Sequence, residues 1–173
     1  VANKLTPVYH ELSSLTWGVV GGGSIGMKVA EIADAFGSEV MVCRRKQEGR
    51  FPVVDIDTLC KECDIISLHI PLSDETRNII NEERINTMKK NAIVVNTARG
   101  AVADEKALAE AIKEGKIGGL GVDVYSAEPF PAEHPYTEIL GFDNVIFTPH
   151  MAWGSYEARA RCVAAMAENI ARF

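Results

Sequence analysis

Three polar residues of this sequence, an arginine, a glutamate and a histidine, could together perform acid–base chemistry on an oxygen atom. Arg99 lies in the run NTARG, Glu128 in GVDVYSAEP and His150 in TPHMAW, and each run includes or follows a short apolar, strand-like stretch. A protonated imidazole can donate a proton to an oxygen that gains negative charge, and a guanidinium can stabilise that charge. A carboxylate beside the imidazole favours its protonated form. The three residue types therefore fit proton transfer to or from a carbonyl or hydroxyl oxygen.

Each of these residues also has an ordinary structural interpretation. Arg99 could cap a strand end, Glu128 could belong to a plain loop, and His150 could be a buried, hydrogen-bonded imidazole. All three follow predicted strands, and ligands of open parallel sheets bind outside the carboxyl ends of the strands. Their joint position favours the catalytic interpretation.

Short β-rich runs alternate with helical stretches and predict the scaffold that would position these residues. The predicted strands cover residues 19–20, 39–43, 65–69, 92–96, 117–124 and 145–148. The predicted helices cover residues 24–36, 55–60, 82–88 and 105–114. Asn81 and Asp104 are the predicted caps of the third and fourth, and Ser155 caps a last helix. This alternation predicts a doubly wound parallel α/β sheet, a single three-layer domain over residues 1–173.

Apolar stripes on the first and last helices predict the faces that turn toward the core. The stripe of the first helix comprises Ile25, Val29, Ile32 and Phe36, and that of the last comprises Val163, Met166, Ile170 and Phe173.

A glycine-rich turn, GGGSIG from Gly21, follows the first predicted strand and opens the first helix. Gly21 would permit the tight turn, Gly23 the close approach of a pyrophosphate and Gly26 the close packing of helix and strand. The free N–H groups near Ser24 and Ile25 would meet the phosphates. A glycine-rich loop without a ligand is the alternative, but the strand before it and the helix after it favour a Rossmann-type dinucleotide site.

The end of the second predicted strand indicates which dinucleotide binds. NAD-binding sites carry an Asp or Glu about 20 residues past the glycines. Here that position is Arg44, followed by Arg45 and Lys46. Guanidinium groups bind a 2′-phosphate, which a carboxylate would repel, so we predict NADP(H) in preference to NAD(H). The alternative is a solvated basic run, with NAD held by backbone contacts.

With these motifs in this order, the sequence resembles the D-isomer-specific 2-hydroxyacid dehydrogenases over nearly its whole length. The resemblance runs from the glycine turn through HIPL, NTARG, GVDVYSAEP and TPHMAW to the tripeptide EAR. It implies that Arg99 binds the substrate carboxylate and polarises the carbonyl. It implies that His150 donates a proton during reduction and removes one during oxidation, and that Glu128 pairs with His150.

The resemblance also implies a set of cofactor contacts beyond the glycine turn. Asp123 would bond the nicotinamide amide. Pro71, Thr76 and Thr97 would line the cofactor cleft. No metal ligand is implied, and the four histidines show no metal-ligand spacing.

Several residues point to one branch of the family. A carboxylate at Glu128 disfavours the formate dehydrogenases, whereas Trp153 and the EAR tripeptide resemble the hydroxypyruvate and glyoxylate reductases. Arg44 and Arg45 agree with the frequent use of NADPH in that branch. A dinucleotide-sensing corepressor module, which binds protein partners without metabolic turnover, is the alternative; Arg44 argues against an NAD sensor of that type.

Family members carry a substrate-binding domain built mainly from sequence before the glycine turn. Only about 20 residues precede the turn here, so we expect that domain to be largely absent. We then expect cofactor binding without efficient turnover, since substrate positioning and water exclusion are lost. The family also pairs its subunits through the dinucleotide domain, which predicts a homodimer with residues 125–143 in the contact.

Composition and charge narrow the remaining classes. The formal net charge of −6 argues against a general nucleic-acid partner. The sequence has no run that could span a bilayer and no signal-peptide pattern, so a cytoplasmic location is expected. Cys60 and Cys63 form a C-x-x-C motif, but it closes a predicted helix instead of opening one, which favours a structural role over a redox or metal role.

Overall fold

The described residues of a computed structural model, 9–46 and 49–173, form six strands that alternate with α-helices. The strands are β1 (Thr16–Val20), β2 (Glu39–Cys43), β3 (Ile65–Leu68), β4 (Ile93–Asn96), β5 (Gly119–Val122) and β6 (Val145–Phe147). The helices are α1 (Ser24–Ala35), α2 (Ile56–Glu62), α3 (Glu82–Thr87), α4 (Glu105–Lys113) and α5 (Tyr156–Ala171). Three short 3-10 helices, Leu12–Ser14, Gly100–Val102 and Pro135–Ile139, lie in the connections.

All neighbouring strands of the sheet are parallel, in the order β2-β1-β3-β4-β5-β6. An isolated bridge between Val42 and Val53 extends the sheet beyond β2. The strand order reverses between β1 and β3, which is the topological switch point where doubly wound sheets bind their ligands. The predicted Rossmann-type α/β fold is confirmed.

The strand register aligns the carboxyl ends of all six strands. One continuous row of paired residues crosses the sheet: Cys43, Val20, Leu68, Asn96, Val122 and Phe147. The loops that follow these residues therefore emerge along a single edge. The glycine turn, the basic run and the loops of Arg99, Glu128 and His150 all leave from that edge.

Helices pack against both faces of the sheet, with α1 over β1 and β2 on one of them. Successive strand residues point to opposite faces, and the alternation is visible in β1. A Cβ built on Gly18 would collide with Leu59 of α2, whereas Val19 on the other face lies beside Gly26 of α1. The two core clusters separate accordingly, one around α1 and a larger one beneath α2, α3 and α4.

Side-chain caps fix where four of the five helices begin. Asp55, Asn81, Asp104 and Ser155 each accept a hydrogen bond from a first-turn amide, as expected for the residues that start these helices. The observed boundaries differ from the predicted ones by one or two residues at most helix ends. The strand predicted over 117–124 is shorter, since β5 begins at Gly119, after the turn that follows α4, and ends at Val122.

The predicted apolar stripe of α1 is wrong as a core face for three of its four residues; only Val29 is partly buried against the core. Ile25, Ile32 and Phe36 are exposed, at 70%, 49% and 60% of their surface. The buried residues of the helix are small ones, Gly26, Ala30 and Ala33. They bring the helix axis close to the sheet, so the buried face is set by the space available instead of by the largest apolar side chains.

The predicted inner stripe of α5 is also wrong for the described part of the chain. Val163, Met166, Ile170 and Phe173 are all exposed, and no residue of α5 is buried. The spacing identified an apolar face correctly but could not identify what the face packs against.

The C-x-x-C motif closes a helix, as predicted. Cys60 lies in α2, Cys63 is its C-terminal cap, and both side chains are buried. Burial raises the pKa of each thiol to about 12, so both stay protonated near neutral pH. Among the described residues, no helix has both the length and the apolar character that crossing a membrane requires.

Candidate active site

The glycine turn between β1 and α1 has the close contacts that its sequence predicts. Gly21 adopts a φ of 110°, and a Cβ there would lie 2.5 Å from the carbonyl oxygen of His69. A Cβ on Gly26 would overlap the carbonyl oxygen of Gly21. Both positions therefore exclude larger residues. The turn carries the chain from the strand into the helix within three residues.

The N-terminus of α1 is open toward the edge of the sheet. Gly23 is the N-cap residue, no side chain accepts a hydrogen bond from the first turn, and that turn contains no acidic residue. A Cβ on Gly23 would meet no atom within 4 Å. The first-turn N–H groups, including those of exposed Ser24 and Ile25, thus face free space at the positive end of the helix dipole. This arrangement suits a phosphate group.

A cleft of about 470 Å³ connects the glycine turn with the loops after β2 and β3. It brings together six residues predicted or implied as cofactor contacts or adjoining them: Gly21, Gly23, Arg44, Arg45, Pro71 and Thr76. Thr76 orders the far wall, since its hydroxyl accepts a hydrogen bond from the Ser73 amide and donates one to the Pro71 carbonyl oxygen, each at 2.7 Å.

The two arginines of the basic run differ in their surroundings. The side chain of Arg44 lies against Gly22, its guanidinium is beside Gly49, and its buried Nε has no hydrogen-bond partner among the described residues. Arg45 is almost fully exposed and forms an ion pair with Glu75, with 3.0 Å between Nη2 and Oε2. A buried guanidinium donor without an acceptor suits an incoming anion.

His69 belongs to the cleft, although the sequence argument assigned it no role. It follows β3, lines the cleft beside Gly21, and its buried Nε2 lacks a partner in the described chain. Burial lowers its pKa, which favours the neutral imidazole. Its place in the HIPL run was visible, but nothing in that run predicted an orphaned ring nitrogen.

Glu128 and His150 meet at the other end of the same sheet edge. His150 Nδ1 lies 2.7 Å from Glu128 Oε2, and Glu128 Oε1 accepts a hydrogen bond from the Tyr125 amide at 2.9 Å. The hydrogen bonds from His150 and Tyr125 hold the pKa of Glu128 below its ordinary value. Because an ionised carboxylate can only accept, Nδ1 carries a proton and Nε2 remains free for a substrate.

Asp123 holds the loop that carries His150. Its Oδ1 accepts hydrogen bonds from the Thr148 hydroxyl at 2.5 Å and the Met151 amide at 2.8 Å, and its Oδ2 accepts one from the Ala152 amide at 2.9 Å. Burial alone would raise the pKa of Asp123, but these hydrogen bonds outweigh it and lower the pKa below its ordinary 3.8. The nicotinamide contact implied for Asp123 stays a prediction; an Oδ2 lone pair is left for it.

Asp123→Asn is expected to lower the free energy of unfolding by about 2–3 kcal/mol at neutral pH, because the amide cannot accept from all three donors. A depressed folded-state pKa gives stability that is present above the ordinary pKa of 3.8 and is lost as pH falls through the folded value. The difference between wild type and variant should therefore shrink below about pH 4. Urea unfolding of both proteins at neutral and acidic pH measures this difference in free energy. A difference that stays the same in acid would contradict the stabilising role of the ionised Asp123 carboxylate.

Arg99 and Thr97 lie on the loop between β4 and the 3-10 helix Gly100–Val102, and both are exposed. Buried Asn96 shapes that loop: its amide donates to the Arg99 carbonyl oxygen at 2.9 Å and accepts from the Ala98 amide at 3.0 Å. The Arg99 guanidinium donates to the Ala98 carbonyl oxygen. The structure thus pairs Glu128 with His150 directly, and places Arg99 on the neighbouring loop without a described contact to either.

The family model for the NAD binding domain of the D-isomer specific 2-hydroxyacid dehydrogenases matches residues 2–152. This match covers the glycine turn, the basic run and the three loops of the site. The chain belongs to this family. Its membership confirms the resemblance drawn from the motifs.

Curated members of the family align with nearly the whole chain. The chain is 43% identical over 169 residues to a glyoxylate reductase of Thermofilum pendens, covering 92% of this chain and 48% of the relative. It is 45% identical over 163 residues to a hydroxypyruvate reductase of Thermotoga maritima, covering 92% and 53%. The chain therefore spans about half the length of these 2-hydroxyacid dehydrogenases.

Solved structures of similar proteins share the fold. An acyclic imino acid reductase, Bsp5, in complex with NADPH and D-Arg superposes with a TM-score of 0.87 at 38% identity, covering 98% of this chain and 54% of that one. A D-lactate dehydrogenase of Aquifex aeolicus complexed with NAD and lactic acid gives 0.86 at 37% identity, covering 94% and 54%. Relatives solved with each of the two dinucleotides thus share this architecture.

Proposed function

We propose that this chain is the dinucleotide-binding domain of an enzyme that interconverts small D-2-hydroxy acids and 2-keto acids. The observation that carries the proposal is the 2.7 Å His150–Glu128 pair on the same sheet edge as the open glycine turn. The residues fit a dinucleotide, because the uncapped α1 terminus, the space at Gly23 and the partnerless Arg44 Nε all suit phosphate oxygens.

In the proposed reaction, a bound nicotinamide would supply the hydride during reduction and accept it during oxidation. His150 holds the proton that passes between its Nε2 and the substrate oxygen, and Glu128 keeps the ring oriented through Nδ1. Arg99, on the adjacent loop, binds the substrate carboxylate and stabilises charge on the carbonyl oxygen. Asp123 keeps the His150 loop in place through three hydrogen bonds.

The substrates we propose are glyoxylate and hydroxypyruvate. Support comes from the relatives named glyoxylate and hydroxypyruvate reductases, at 43% and 45% identity. We further propose that the chain works with a substrate-binding domain and as a homodimer that uses residues 125–143. Elution of the purified protein as a monomer in gel filtration would contradict the dimer.

NADP(H) is the proposed cofactor. Arg44 sits at the end of β2, where NAD-binding members of this fold carry a carboxylate, and its Nε lies buried in the cleft without a described partner. Both features favour a 2′-phosphate over a free ribose hydroxyl.

Arg44→Asp is expected to lower the ratio of NADPH to NADH affinity by about 10- to 100-fold, because a charge-assisted contact is lost and a repulsive carboxylate is added. Parallel fluorescence titrations with both cofactors measure the ratio. Arg50→Asp is the matched control, since Arg50 is exposed, pairs with Asp34 and does not line the described cleft. An unchanged ratio in Arg44→Asp would overturn the cofactor assignment.

Turnover by the full-length protein tests the proposed activity. Oxidation of NADPH is followed with glyoxylate, hydroxypyruvate and pyruvate as substrates. Robust rates with the first two support the proposal. Tight cofactor binding with no turnover of any 2-keto acid would contradict it and favour a dinucleotide-sensing module of the corepressor type.

A further inference from the structure

A second carboxylate–imidazole pair lies beneath the loop that carries Glu128. His134 Nε2 lies 3.0 Å from Glu105 Oε2, and the two side chains are only 4% and 10% exposed. Nothing in the proposed reaction uses either residue. Burying such a pair costs desolvation free energy, and its hydrogen bonds are expected to fix the segments that they join.

The hydrogen bonds assign the protons of this second pair. The Tyr136 amide, which can only donate, bonds to His134 Nδ1 at 3.2 Å. Nδ1 is therefore the acceptor of the ring, so Nε2 carries the hydrogen and donates it to Glu105. The imidazole bridges the backbone at 136 and the carboxylate in one fixed orientation.

Glu105 also holds the beginning of the same loop. Its Oε1 accepts a hydrogen bond from the Ser126 amide at 2.9 Å, and its Oε2 accepts one from the Ser126 hydroxyl. One carboxylate thus binds the loop at residue 126 and at residue 134, on either side of Glu128. Glu105 is the first residue of α4, whose start is fixed by the Asp104 cap. The anchor is therefore part of the rigid scaffold.

Packing supports the same segment. A Cβ on Gly100 would overlap the backbone of Tyr125 and Ser126, so the loop after Arg99 lies directly against the loop of Glu128. The rings of Phe130 and His134 are 4.9 Å apart between centroids. The 126–134 loop therefore has both packing contacts and hydrogen bonds. Of the contacts described above, only those to Glu105 are hydrogen bonds to the side chain of a helix residue.

We propose that Glu105 is a positioning residue, which sets Glu128 against His150 by fixing both ends of the 126–134 loop. The effect of Glu105 on catalysis rests on the proposed function, whereas its effect on the structure does not. When Glu105 cannot anchor the loop, Glu128 moves away from His150 Nδ1. The neutral imidazole of His150 then loses its preference for a proton on Nδ1.

The test is the tautomer of His150, read from long-range ¹H–¹⁵N spectra of the neutral imidazole. Glu105→Gln keeps the shape of the side chain but directs an NH₂ group at the Ser126 or His134 donor. It is expected to reduce the ratio of Nδ1–H to Nε2–H tautomer of His150 at least about threefold. Glu110→Gln, on the exposed face of the same helix, is the matched control and should leave the ratio unchanged.

Ser126→Ala removes one of the loop bonds to Glu105 with less risk to folding. It must shift the tautomer ratio in the same direction and by less, and it decides the question if Glu105→Gln does not fold. An unchanged tautomer ratio of His150 in folded Glu105→Gln overturns the proposal. If Glu105→Gln does not fold, an unchanged ratio in Ser126→Ala overturns it. These spectra need no cofactor or substrate, so the result is independent of whether the proposed activity exists.

In the full-length enzyme, the effects of substituting Glu105 and Glu128 on kcat should not add. Glu105→Gln is expected to lower kcat about tenfold in the wild-type background and less than about twofold when Glu128 is already glutamine, because coupled residues share one effect. Equal losses in both backgrounds would mean that Glu105 does not act through Glu128.

Discussion

His150→Asn is expected to lower kcat of the full-length enzyme by about 10²- to 10⁴-fold, the usual contribution of a general acid or base. Asparagine is the informative substitute because His150 has a φ of 51°, a left-handed conformation that asparagine tolerates better than most residues. The backbone of the loop should then survive while the proton donor is lost. Steady-state kinetics with NADPH and glyoxylate measure the effect.

The cofactor dissociation constant separates chemistry from folding in this variant. It should stay within about twofold of the wild-type value, since the described cleft at the glycine turn does not include residue 150. His10→Asn, at an exposed position near the start of the sequence, is the matched control and should leave kcat unchanged. A His150→Asn enzyme with a near wild-type kcat would remove His150 from the chemistry.

Two glycines of the same turn are expected to respond in opposite ways to alanine. A Cβ on Gly26 would overlap the carbonyl oxygen of Gly21, so Gly26→Ala should lower the free energy of unfolding by about 1–3 kcal/mol or more. A Cβ on Gly23 meets nothing within 4 Å, so Gly23→Ala should fold with near wild-type stability. Its methyl group instead occupies the space that a pyrophosphate needs, and should weaken cofactor binding about 10- to 100-fold.

Denaturant unfolding and cofactor titration of both variants separate the two effects. Gly26→Ala is expected to lose mainly folding stability, and Gly23→Ala mainly affinity for the cofactor. If Gly23→Ala bound the dinucleotide as tightly as wild type, the phosphate would not lie at the start of α1. If Gly26→Ala were as stable as wild type, the close contact between turn and helix would not limit this fold.

The sequence predicted the parts of the fold that depend on local rules. The glycine turn could be predicted because the sterics of the turn itself require each glycine. The caps Asn81, Asp104 and Ser155 could be predicted because capping depends on a few neighbouring residues. The pairing of Glu128 with His150 was implied by the family resemblance, and the two side chains lie 2.7 Å apart in the structure.

What escaped prediction depends on long-range packing. Ile25 and Ile32 have helical spacing, but Ala30 and Ala33 are buried in their place because the sheet leaves room only for small side chains. Neither the orphaned His69 nor the hold of Glu105 on the 126–134 loop leaves a local signal. Each arises from residues brought together across many positions of the chain.

A parallel titration of this 173-residue chain with NADPH and NADH, followed by nicotinamide fluorescence, measures whether the glycine turn and Arg44 form a site for a phosphorylated dinucleotide. We expect saturable binding of both dinucleotides, with NADPH the tighter by at least about tenfold. Saturation with NADH as the tighter ligand would keep the dinucleotide site and contradict the role of Arg44. Binding of neither dinucleotide would contradict the claim that the glycine turn, α1 and the cleft form a working cofactor site.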